Sequence, residues 1–173
     1  MNEIDEYLAD MDRKVRKFGW ARVYVFGDDC AAAPGEPCTA ASGDCHTLGF
    51  GYTVGLSRHY GHPELVMTGV PVEATEVLNI LGERIRDGAV LRPGERLSIG
   101  HTLTARLLEV DWEQSHRNMP VAWRLNGGPV DALQVVLPDS RNRMPWEPGY
   151  SLSPEAQPLW GSVGGDAADD HGP

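Results

Sequence analysis

The chain has 173 residues, 41% hydrophobic and 23% charged, which suits one globular domain with room for loops. Its formal net charge of -10 repels phosphate backbones, and the short cationic run Arg13, Lys14, Arg16 and Lys17 is too small to override that field, so no nucleic-acid partner is expected. No apolar run reaches the roughly eighteen residues of a membrane span. The acidic opening MNEIDEYLADMDRK lacks the apolar core of a secretory signal, so no membrane association and a cytoplasmic location are expected.

In chain order, Ile4, Leu8, Met11, Val15 and Phe18 recur at helical spacing, which predicts a helix over 3–18 ended by Gly19. WARVYVF, Trp20 to Phe26, is β-branched and aromatic and predicts a strand. Residues 27–45 form a Cys-containing loop insertion rich in Ala, Gly and Pro, without periodicity. A second strand is expected from His46 to Ser57 and a third in ELVMTGV, with the loop RHYGHP between them; these two are expected to be antiparallel neighbours. Pro71 opens a helix whose buried face is Ala74, Val77, Leu78, Leu81 and Ile85, with Gly88 just past its end.

LRPGERLSIG holds a Pro-Gly turn, TLTARLLEVDW reads as a long strand, and 116–126 reads as a short helix stopped by Gly127 and Gly128. The dense apolar run Ala132 to Leu137 predicts a central strand covered on both faces. A proline-punctuated segment then wraps the surface, and 162–173 is expected to be a disordered acidic tail. The sum is a single α+β domain over 1–161. Its sheet is expected to be mainly antiparallel and barrel-like, with an N-terminal helix and one long central helix packed on it.

Three constellations bear on chemistry. Cys30, Cys38 and Cys45, with His46, have the ligand types and number for tetrahedral zinc, but they lack a CxxC knuckle, and that spacing favours three reduced thiols in a flexible insertion. His59, His62 and Glu64, joined by His101, would make a facial metal set; alternatively His62 would act as a general base with Glu64 holding its tautomer. Against both stands a structural turn, with Gly61 bending the backbone and Pro63 holding His62 extended. Asp139 follows the central strand, and Trp146 would close a pocket or staple a surface segment to the sheet. No GxSxG elbow, dinucleotide fingerprint, Walker loop or HExxH motif is present.

Five pieces in order carry a resemblance: GW at Gly19–Trp20, YTVGL at Tyr52–Leu56, GHPEL at Gly61–Leu65, ALQVVLPD at Ala132–Asp139 and MPWEPGY at Met144–Tyr150, followed by QPLWG. Together they resemble a bacterial family catalogued as domain of unknown function 4262. The cysteine-bearing loop is longer than is usual there, and Leu137 stands where the family often has an aromatic. The resemblance implies no activity; its weak association with polymorphic toxins and biosynthetic neighbourhoods implies an accessory or immunity-type role.

The expected function is therefore a ligand- or protein-binding accessory module. The alternative is a small-molecule enzyme, flavin- or metal-dependent, with His62, Glu64 and Asp139 as catalytic residues. The expected ligand contacts are Tyr52, His59 and Trp146.

Overall fold

The computed structural model describes residues 2–27 and 49–163. Helix α1 spans Glu3–Phe18; the Asn2 side chain accepts the Asp5 N–H at its start, and Gly19 closes it. Strand β1, Ala21–Val25, follows at once. Beyond it come β2 (Phe50–Val54), a short helix α2 (Leu56–Tyr60) and β3 (Glu64–Thr68). A 3₁₀ turn, Val72–Thr75, leads into α3, Glu76–Arg86. Then follow β4 (Arg96–Ile99), β5 (Leu103–Glu109), α4 (Trp112–Asn118), α5 (Pro120–Asn126) and β6 (Ala132–Val136).

The strands form one sheet in the order β1-β2-β3-β6-β5-β4. Every pairing is antiparallel except β3 with β6, which run parallel with Glu64 opposite Ala132. The fold is thus α+β with a mixed, mostly antiparallel sheet. The expected antiparallel neighbours, β2 and β3, pair as predicted.

Several expectations change. The sheet is open, with β1 and β4 at its edges, so it is not barrel-like. Nor is there one long central helix: α3 has 11 residues against 16 in α1. The loop expected after Leu56 begins with α2, because Gly55 takes a left-handed conformation (φ 110°) that turns the chain straight from strand into helix. The predicted helix over 116–126 is two helices: Met119 lies between them and Pro120 opens the second. Strand β4, hidden behind the Pro-Gly turn, adds a sixth strand. Cys30, Cys38, Cys45 and His46 lie outside the described residues, as does nearly all of the expected tail.

Alternation along the inner strands sends side chains to two separate cores. Leu65, Met67, Leu133 and Val135 meet Leu78, Leu81 and Ile85 of α3 together with Trp20. Val66, Ala132, Tyr52 and Val54 meet Met11 and Val15 of α1 and Ala122 of α5. Helices therefore cover both faces, which is why β3 and β6 are buried at every position. The chain after β6 straps one face: Gln134 donates to the Pro158 carbonyl at 2.8 Å and accepts the Trp160 N–H at 2.8 Å.

Candidate functional site

The GHPE turn is built by hydrogen bonds that occupy its polar groups. His62 is buried, and its Nε2 accepts the Leu91 N–H at 3.0 Å, so its proton sits on Nδ1 and is donated to the Pro63 carbonyl at 2.8 Å. Leu91 and Pro63, not Glu64, set the tautomer. Neither ring nitrogen is left for proton transfer in this arrangement.

Glu64 is 1% exposed and serves α2 instead. Its carboxylate accepts the Thr53 hydroxyl at 2.7 Å and the backbone N–H groups of Gly55, Leu56 and Ser57 at 2.9, 3.3 and 3.1 Å. It caps from the next strand a helix that lacks a cap of its own. Burial pushes the carboxyl up to about 7, against the lowering pull of these four donors.

Asp139 performs the same kind of duty at another place. It accepts the N–H groups of Arg141, Arg143 and Ser151 at 2.9, 2.9 and 2.7 Å and the Ser151 hydroxyl at 2.8 Å. Burial would raise its carboxyl, but these donors prevail and hold it at about 2. Trp146, in the same loop, packs against the Leu108, Val136 and Met144 cluster.

The sheet keeps these groups apart. Because β3 and β6 are parallel and Glu64 lies opposite Ala132, Val136 ends β6 about 13 Å further on, and Asp139 lies beyond it. The expected pocket joining His62 and Glu64 to Asp139 and Trp146 is not assembled. His59 sits on the exposed side of α2, and Tyr52 is wholly buried in the second core with an unpartnered hydroxyl. Among the described residues no group of three or more His, Cys, Asp or Glu is placed to hold a metal ion, so His59, His62, Glu64 and His101 do not form the facial set.

The structure offers a different site. A cleft of about 560 Å³ lies between α1, β1 and α3, within the usual range for small-molecule pockets. Alternation on β1 turns Trp20, Arg22 and Tyr24 towards it, while Val23 enters the core on the opposite face. Helix α3 contributes Glu76, Asn79, Glu83 and Arg86, the polar flank beside its buried stripe. Lys14 and Phe18 of α1, with Val72, complete the rim.

The walls are held by their own network. The Arg22 guanidinium donates to Thr75 Oγ1 at 3.2 Å and pairs with Glu76 at 3.0 Å; Asn79 donates to Glu76 at 3.1 Å and accepts from Trp20 Nε1 at 3.4 Å. Arg86 lies over the Trp20 ring, 5.6 Å from its centroid. Trp20 in turn rests on the α3 backbone, since a Cβ on Gly82 would come within 2.6 Å of its indole. The Tyr24 hydroxyl donates to the Val70 carbonyl at 2.8 Å. The lining contains no His, Cys or Ser, so it offers recognition chemistry without a nucleophile and base pair. The sequence signal for this site was the alternation of Trp20, Arg22 and Tyr24 in WARVYVF; its second wall on α3 became visible only through tertiary packing.

No curated protein and no solved structure matches the chain. The family model described as domain of unknown function (DUF4262) matches residues 14–151, a span that includes β1, α3 and most of the cleft. The chain belongs to the DUF4262 family.

Proposed function

We propose that the protein is a ligand-binding accessory module of the bacterial cytoplasm, and that the cleft between α1, β1 and α3 is its recognition site. The observation that carries this reading is the composition of the cleft. Aromatic and arginine side chains, the residue types that dominate binding hot spots, sit in a concave site on rigid strand and helix backbone. Arg22, Arg86 and Lys14 face Glu76 and Glu83 across aromatic surface, which suits a small organic ligand that bears both charges on a planar or apolar body. The enzyme alternative, with flavin or metal at His62, Glu64 and Asp139, draws no support from groups that lie apart and serve as backbone caps.

Native mass spectrometry of the purified chain, before and after incubation with a metabolite extract of the expression host, tests the reading. The expected result is a noncovalent adduct of constant mass on the wild type that is lost in Arg22→Ala with the fold intact by circular dichroism. A wild type free of adduct under both conditions, or an adduct indifferent to Arg22→Ala, contradicts it.

A further inference from the structure

The cleft draws its walls from both faces of the sheet. Helix α1 packs with the Val23 and Tyr52 core, and α3 with the Leu65 and Leu133 core on the other side. One cavity lined by both helices and by β1 between them opens along the outer edge of β1. That edge, Ala21–Val25, is paired only with β2 on its inner side among the described residues. Its outer backbone donors and acceptors form a template for a further strand.

Two observations say what kind of strand fits. The edge is bordered by apolar side chains: Phe18 is 58% exposed, Phe26 75% and Val72 43%. Charge is also ordered along it. At the Trp20 end, α1 finishes with Arg16 and Lys17 and α3 with Arg84 and Arg86, partly offset by Asp12 and Asp87. At the opposite end, Glu73 and Glu76 begin the α3 segment. One end of the edge is basic and the other acidic, so the surface complements itself when turned end for end.

We propose that a second copy of this chain docks along the edge, β1 against β1 in antiparallel sense, continuing the sheet across a two-fold axis and closing the open side of the cleft. The two-fold sets the basic end of each copy against the acidic end of the other, whereas a parallel pairing sets like against like. The apolar side chains are then covered by their counterparts. The inference goes beyond ligand binding, and its readout is self-association, so its failure and that of the ligand reading are distinct results.

Sedimentation velocity of the full chain from about 1 to 100 µM, a range that spans ordinary dimer affinities, reads the association state. The wild type is expected to form a dimer. The pair Lys14→Glu with Arg86→Glu, and separately Glu73→Lys with Glu76→Lys, should each weaken that dimer at least tenfold. An equimolar mixture of the two double variants should restore it, because both charge contacts become opposite again. Hydrogen exchange at Ala21–Val25 should slow as concentration rises. A wild type that is monomeric throughout overturns the proposal, as does a dimer that ignores both charge reversals or leaves the β1 amides unprotected. Protection of β1 only on addition of a different protein also overturns it, in favour of strand addition by that partner.

Discussion

At Glu64 two opposed effects meet in one side chain. Its folded-state carboxyl is pushed up to about 7 by burial, against an ordinary value of 4.5. The folded state therefore holds the proton more tightly than the unfolded chain. The stabilisation this gives is fully present below about pH 4.5 and is lost as pH rises through about 7. Glu64→Gln removes the titration, so the stability gap between wild type and variant should narrow by up to about 3 kcal/mol between those pH values. Urea unfolding across a pH series measures it; a constant gap would mean that the four donors keep the carboxylate ionised throughout. His62 makes a simpler prediction. His62→Ala strands the buried Leu91 N–H, and should lower unfolding free energy by about 1–3 kcal/mol. An unchanged urea midpoint would remove His62 from the structural role assigned to it. Both residues were visible in the sequence as a dense polar turn, but the partners that define them, Leu91 and the backbone of α2, are set by tertiary packing.

At the scale of elements, legibility followed locality. Helix α1 and strand β1 were readable because the residues that decide them are adjacent: an apolar stripe from Ile4 to Phe18, then WARVYVF. The central, doubly covered position of β6 was readable from its unbroken apolar run. Helix α2 was not, because it is five residues long and receives its cap from Glu64 on the following strand. The parallel pairing of β3 with β6 joins segments more than sixty residues apart in sequence and leaves no local mark. It also separates the two loops that the sequence suggested would share a pocket. Contact between elements gives its own prediction at Gly82, where the α3 backbone supports Trp20. Gly82→Ala should lower stability by about 1–3 kcal/mol by forcing the indole from the cleft floor, even though alanine is the better helix former. Chemical denaturation checks this; a stabilised variant would show that Trp20 moves freely and that the cleft floor is not fixed.

For the whole molecule, helices on both faces leave the sheet's edges as its accessible backbone, and the cleft lies at one of them. The edge explains how one cavity gathers residues from α1, β1 and α3, which lie in three layers. It also explains why polar side chains concentrate there: at the rim of the layers, guanidinium and carboxylate groups remain hydrated while aromatic surface stays partly covered. Family membership places this arrangement within the matched span 14–151 without assigning it an activity. The central claim is that recognition happens at the edge of β1 and not at the GHPE turn or the Asp139 loop. Hydrogen–deuterium exchange of the purified chain, with and without a metabolite extract of the expression host, tests that directly. The account predicts added protection confined to Ala21–Val25 and Glu76–Arg86. Protection that appears instead at residues 59–64 or 139–147 would contradict it.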